Sequence, residues 1–183
     1  MNGHKMTDEQ LLQGCIKKNL TAQKQLYDRF AKKMLGVCLR YADCTEEAQD
    51  ILQDGFIKVF EKINTYHATG ALEGWIKRIM VNTALDNFRR RVNERNHVQI
   101  DINEVAYNTG YNDAPENISV KELLKVIQQL PAGYRTIFNL YAIEGYSHKE
   151  ISEMLGIAES TSKSQFARAR VHLQKSIQLE KAY

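Results

Sequence analysis

The sequence predicts an all-α protein: two small helical domains joined by a flexible polar linker, the second containing a helix-turn-helix. Three observations carry this. Apolar residues recur at steps of three and four through most of the 183 residues, while alternating strand patterns are scarce and prolines number only 2. That pattern breaks over 93–117, a stretch rich in asparagine that also holds Gly110 and Pro115. Finally, Tyr146 to Leu173, YSHKEISEMLGIAESTSKSQFARARVHL, reads as two short helices around a tight turn. A structureless connector as long as 93–117 argues for separate domains on either side, at 1–92 and 118–183.

Thr7 is a plausible N-cap for the first helix, with Asp8 and Glu9 where a helix dipole favours negative charge. A second helix is expected from about Thr21, with Leu26, Phe30, Met34, Val37 and Tyr41 on its apolar face. Cys38 falls within it and reads as a small core residue. Thr45 is placed to cap a third helix, Glu46 to about Ile63, with Leu52, Phe56, Val59 and Ile63 as its stripe. Glu47, Asp50, Gln53 and Asp54 form an acidic patch on its early turns. By itself that patch fits a solvated face, since no metal ligand or nucleophile accompanies the carboxylates.

Asn64 to Gly70, NTYHATG, has loop composition. Tyr66 and His67 offer rings for stacking on an unpaired base, although an ordinary loop tip has the same composition. A fourth helix is expected from about Leu72 to Val92, with Leu72, Trp75 and Ile79 in the core. Lys77, Arg78, Asn82 and Asp86 occupy neighbouring turns, and the helix ends in Arg89, Arg90 and Arg91. Three consecutive arginines exceed what a helix C-terminus needs and suit phosphate contacts.

In the second domain Leu123, Leu124, Ile127 and Leu130 make a stripe, and Pro131 fits the first turn of the next helix. Tyr134, Ile137, Phe138 and Tyr141 are expected to pack inward before Gly145 closes that helix. Ser147 with Glu150 is a capping box, Ile151, Met154 and Leu155 share a face, and Gly156 ends the helix. On the last helix Ser162, Phe166, Ala169 and Leu173 form a buried stripe. Thr161, Ser164, Gln165 and Arg168 are expected opposite it, with Lys163 and Arg170 on its flanks. Hydroxyl, amide and guanidinium groups in front of an apolar stripe suit a helix laid in the DNA major groove; a helical hairpin with a solvated polar face fits the same pattern.

Charge is distributed unevenly. Residues 1–92 hold 15 Lys/Arg and 11 Asp/Glu (+4), 93–117 hold 1 and 5 (−4), and 118–183 hold 9 and 6 (+3). The net +3 is too small to demand a polyanionic partner. No apolar run nears the ~20 residues of a membrane span, and MNGHKMTDEQ lacks the apolar core of a secretion signal. Cys15, Cys38 and Cys44 show neither paired nor zinc-ligand spacing, so a reduced, cytoplasmic setting without cofactor or metal is expected.

EEAQDILQDGFIKVF, then GWIKRIMVNTALDNFRRR, a polar linker, LPAGYRTIFNLYAIEGYSHKEISEMLGI and a basic last helix resemble, in that order, a bacterial RNA polymerase sigma factor of the sigma-70 family. The short two-domain form resembles the extracytoplasmic-function (ECF) subfamily, across about residues 10–176. The resemblance implies that 1–92 is similar to sigma region 2, which binds the core polymerase clamp and opens the minus-ten element. Glu47, Asp50, Gln53 and Asp54 become clamp contacts. Tyr66 and His67 fall in a loop like the one that captures a flipped base. Lys77, Arg78, Asn82, Asp86, Arg89 and Arg90 fall on the helix that holds the melted strand, Asn82 and Asp86 matching N-x-x-x-D. Residues 118–183 resemble sigma region 4, which reads the minus-thirty-five element and meets the polymerase flap; Ser160, Thr161, Lys163, Ser164, Gln165, Arg168 and Arg170 are its DNA-facing set. Many relatives are held by an anti-sigma partner. None of this implies an enzyme.

Three departures from the family pattern stand out. Val81 occupies a position that is often basic, Ala158 stands where a Ser cap is common, so the cap is expected to move to Ser160, and Gln165 replaces a frequent Arg. Arg favours guanine and Gln adenine, so a different preference at one base of the upstream element is expected. The rival reading is a stand-alone helix-turn-helix regulator with an N-terminal helical sensing domain, binding duplex DNA alone.

Overall fold

A computed structural model describes residues 6–67, 70–95 and 120–180. Among them are eight α-helices and no strand: α1 Asp8–Ile16, α2 Leu20–Leu39, α3 Thr45–Lys62, α4 Leu72–Arg95, α5 Val120–Gln128, α6 Ala132–Phe138, α7 His148–Leu155 and α8 Glu159–Glu180. The chain divides into two compact units, Met1–Asn87 and Phe88–Tyr183, the boundary falling inside α4. Most of the linker expected at 93–117 lies outside the described residues; α4 itself continues through Arg95.

In the first unit α1 begins with a capping box, Thr7 and Gln10 each accepting a backbone N–H from the other. Arg29 ties α1 to α2 by pairing with Asp8 at 2.5 Å and donating to the Met6 carbonyl. α2 starts at Leu20, one residue earlier than expected, capped by Asn19, whose side chain accepts the Ala22 N–H. Leu26, Phe30, Met34, Val37 and Tyr41 are buried as the spacing predicts. Cys38 is fully buried, and desolvation pushes its thiol up to about 12, a core residue rather than a nucleophile. α3 is capped at Cys44 without a side-chain bond, so Thr45 is its first helical residue and not its cap.

α4 is enclosed on most sides. Its core line runs through Leu72, Ile76 and Met80, with Val81, Ala84 and Leu85 also buried. Trp75 and Ile79, expected in that core, are half-buried instead. Both registers satisfy a four-residue step, and only the packed neighbours choose between them. Val81 is 1% exposed, so the position expected to have lost a DNA contact is a core position here.

In the second unit Val126, Ile127 and Leu130 of α5 pack with Ala169 and Leu173 of α8, and Tyr134, Phe138 and Ile177 close around them. Buried Arg135 donates to the carbonyls of Gln128 (2.9 Å) and Leu130 (3.4 Å), where the end of α5 favours a cation. Pro131 takes the N-cap position of α6 rather than its first turn. The chain then widens into a π-helical turn, Asn139–Ile143, before Gly145 at φ +82°.

Candidate nucleic-acid interface

Ser147 starts α7. Its hydroxyl accepts the Glu150 N–H at 3.2 Å, and Glu150 Oε2 accepts the Ser147 N–H at 2.8 Å, the bond that chiefly holds the Glu150 carboxyl below its usual range. Gly156 ends α7 at φ +67°, a left-handed conformation that costs other residues strain. α8 begins at Glu159, where the Ala158 carbonyl accepts the Ser162 N–H. Ser160 is therefore already helical and is not the cap expected of it. Behind α8 the His148 ring stacks on Tyr141 (centroids 4.2 Å, 11°), and Tyr141 and Phe166 meet at 4.6 Å. His148 Nδ1 lies 2.9 Å from the Oγ of fully buried Ser162, joining the first turn of α7 to α8.

The predicted upstream-reading residues divide into two groups. Ser160, Lys163, Ser164 and Arg170 are exposed on the side of α8 away from its buried stripe; Thr161, Gln165 and Arg168 are half-buried along one flank. Lys163 pairs with Glu159 one turn back at 2.7 Å, and the Ser164 hydroxyl donates to the Thr161 carbonyl. Gln165 leans over α6: its amide oxygen lies 3.3 Å from where a Cβ on Gly133 would stand. Ala167 is exposed among Lys163, Ser164 and Arg170. Sequence reasoning missed it because a small apolar side chain carries no polar signal; the outer run 160, 163, 164, 167 would have found it.

On α4, Arg78, Asn82 and Asp86 are exposed at steps of four, and Arg89 and Arg90 follow, also exposed. Lys77 is half-buried and stands five residues before Asn82, roughly 140° around the helix, so it does not join this line. Asp86 pairs with Lys58 of α3 at 3.0 Å, a contact 28 residues apart in sequence. In the preceding loop Tyr66 is half-buried: its ring packs on Trp75 at 5.5 Å and its hydroxyl donates to the Gly70 carbonyl. That geometry fixes the loop's ends. His67 is exposed, and Ala68 and Thr69 lie outside the described residues.

On α3, Asp50, Gln53 and Asp54 are exposed together. Ile57, one turn further on the same line, is 50% exposed beside an open groove that Tyr27, Phe56 and Phe60 help to line. Glu47 sits at the edge of this surface and is held by its own unit: it accepts from the Asp43 N–H at 2.6 Å and the Asn87 amide at 3.0 Å. Among the described residues no cluster of His, Cys, Asp and Glu is arranged to hold a metal ion, and no helix is long and apolar enough to cross a membrane.

Comparison with known proteins follows the same division. Residues 26–94 match the family described as Sigma-70 region 2, and residues 121–173 match Sigma-70, region 4. The chain is 26% identical over 181 residues to RNA polymerase sigma-H factor of Pseudomonas aeruginosa, covering 93% of this chain and 94% of that protein. It is 29% identical over 170 residues to the ECF RNA polymerase sigma factor SigM of Mycobacterium tuberculosis, covering 93% and 84%. SigW of Bacillus subtilis is 29% identical over 163 residues, covering 83% and 87%. In fold it is similar to the sigma factor RpoE of Bartonella quintana, solved in complex with the anti-sigma factor NepR: TM-score 0.51 at 21% identity, covering 85% of this chain and 96% of that one. The two matched regions together span well over half of the chain, in the order its motifs predict, and do not favour a stand-alone regulator. The chain belongs to the sigma-70 family and is a transcription-initiation sigma factor of the extracytoplasmic-function class.

Proposed function

We propose that the chain, acting in the cytoplasm and catalysing no reaction itself, docks on core RNA polymerase and presents two DNA readers. Residues 1–92 act as the strand-opening domain, 118–183 as the duplex-reading domain, and 93–117 as the tether. Asp50, Gln53 and Asp54, extended by Ile57 and bordered by Glu47, meet the polymerase clamp. Arg78, Asn82, Asp86, Arg89 and Arg90 grip the separated strand, with His67 and Tyr66 at the base-capturing loop and Lys77 on the margin. Ser160, Lys163, Ser164 and Arg170 enter the upstream major groove, and Thr161, Gln165 and Arg168 contact its wall. The region 4 unit also meets the polymerase flap.

The observation that carries this reading is the exposed Arg78–Asn82–Asp86 line on an otherwise enclosed helix. With the other sides of α4 packed, guanidinium, amide and carboxylate groups share the one side left open to a partner, at the N-x-x-x-D spacing of the family's strand-binding helix. Stacking and phosphate contacts along that line offset an unstacking cost of a few kcal/mol per base. An anti-sigma partner belongs to the same proposal, since the Bartonella relative is bound by one. Run-off transcription with purified core polymerase and a promoter library is the test. Discrete start sites that require this protein are expected; a competent core from the same source that initiates nowhere new overturns the reading.

A further inference from the structure

Within that reading, the geometry points to Lys58 as a positioning residue of strand capture, one that cancels the charge of Asp86 so that a carboxylate can stand in a phosphate-binding face. Asp86 brings the one negative charge to the line formed by Arg78, Asn82, Arg89 and Arg90. It lies one turn after Asn82 and three residues before Arg89, on a line whose other members are cationic or neutral. Its negative charge opposes the pull of Arg78, Arg89 and Arg90 on phosphates.

α3 supplies the remedy. The Lys58 ammonium reaches across to Asp86 Oδ2 at 3.0 Å. The Lys58 side chain is 35% exposed and that of Asp86 56%, so the stem lies along protein while the head stays at the surface beside α4. Its neighbours in sequence explain the anchoring: Phe56 and Val59 are buried, which fixes the flank of α3 from which Lys58 projects. The pair holds one carboxylate oxygen in a set direction. Lys58 stands one turn after Asp54 on the row 50, 54, 58, so the α3 surface that carries the exposed carboxylates runs on to the strand-binding line.

A double-mutant cycle in the assembled holoenzyme tests this. Open-complex lifetime and permanganate reactivity of unpaired thymines are read for the wild type, Lys58→Met, Asp86→Asn and the double variant. Lys58→Met is expected to shorten open-complex lifetime by roughly fivefold at low salt, with the effect shrinking as salt screens the exposed charges. The defect disappears when Asp86→Asn is already present, because no charge is left to cancel. Lys58→Arg retains activity. Polymerase-binding affinity and thermal midpoint report on docking and folding, and they are expected to move far less than lifetime. A Lys58→Met lifetime equal to wild type overturns the proposal. So does a defect of the same size in the Asp86→Asn background, which would mean that Lys58 touches DNA itself or holds the fold. If the wild type opens no promoter at all, it is the sigma-factor reading that has failed.

Discussion

His148 brings a titratable group to the joint of the helix-turn-helix. Its ring faces Tyr141 and Phe166, its Nδ1 faces Ser162, and Lys163 and Glu159 stand near. Partial burial and then the Lys163 charge hold its pKa below the ordinary 6.5, against a smaller opposing pull from Glu159. The unfolded chain thus takes up this proton more readily than the folded one. Stability is full above about pH 6.5 and is lost as pH falls from there through the lower folded-state value. Glu150 and Glu159, held below their usual 4.5, lose their contributions only at more acid pH, so the two windows separate. Thermal unfolding followed by circular dichroism should show a midpoint that drops between pH 7 and 5.5, and His148→Gln should lack that slope. A wild-type midpoint flat across this range would contradict the assignment.

Gln165 stands between two roles. The sequence marks it as a base reader with a leaning to adenine, whereas the structure turns its amide oxygen toward Gly133. Promoter-library selection with Gln165→Arg distinguishes the two roles. A shift toward guanine at one upstream base, worth about 1–3 kcal/mol of discrimination, is expected of a base-reading residue. Unchanged preference with a lowered thermal midpoint would make Gln165 a packing residue over α6.

Among the elements, α3 and α4 approach closely at Gly55. A Cβ there would stand 2.3 Å from the Sδ of Met80, itself fully buried. In an exposed helix Gly→Ala gains about 1 kcal/mol of propensity. Here overpacking should outweigh it, with Gly55→Ala destabilising the first unit by about 1–3 kcal/mol in urea unfolding, and Met80→Val recovering part of the loss. A gain in stability would show that Met80 has room to move. Helix existence was legible from periodicity throughout, and so were the Thr7 and Ser147 caps, since both need only residues three apart. The Thr45 and Ser160 caps were misread for one reason. A hydroxyl near a helix start is common, but which residue takes the non-helical Ncap conformation depends on the incoming chain. The register of α4 was missed on similar grounds: Trp75 and Ile79 obey the helical step as well as Ile76 and Met80 do.

At the level of the whole molecule, modest charge and two sigma regions on one chain set how it should behave. A net +3 gives little counterion release on its own, so the free protein should bind promoter duplex weakly. Gel shifts are expected to show specific complexes only when core polymerase is added, and tight specific binding by the protein alone would favour a stand-alone regulator.

The sequence by itself determined the helices, the turn at Gly156, the family and most of the exposed candidates, including Arg78, Asn82, Asp86, Asp50 and Asp54. Each of these follows from spacing within a few turns or from the order of blocks along the chain. Tertiary structure alone decided that Val81 is buried, that Lys77 stands off the strand-binding line, that Tyr66 packs on Trp75 and that Lys58 pairs with Asp86. A helical period says which residues share a face. It is silent on which neighbour covers that face, because that is set by side chains brought together from far along the chain.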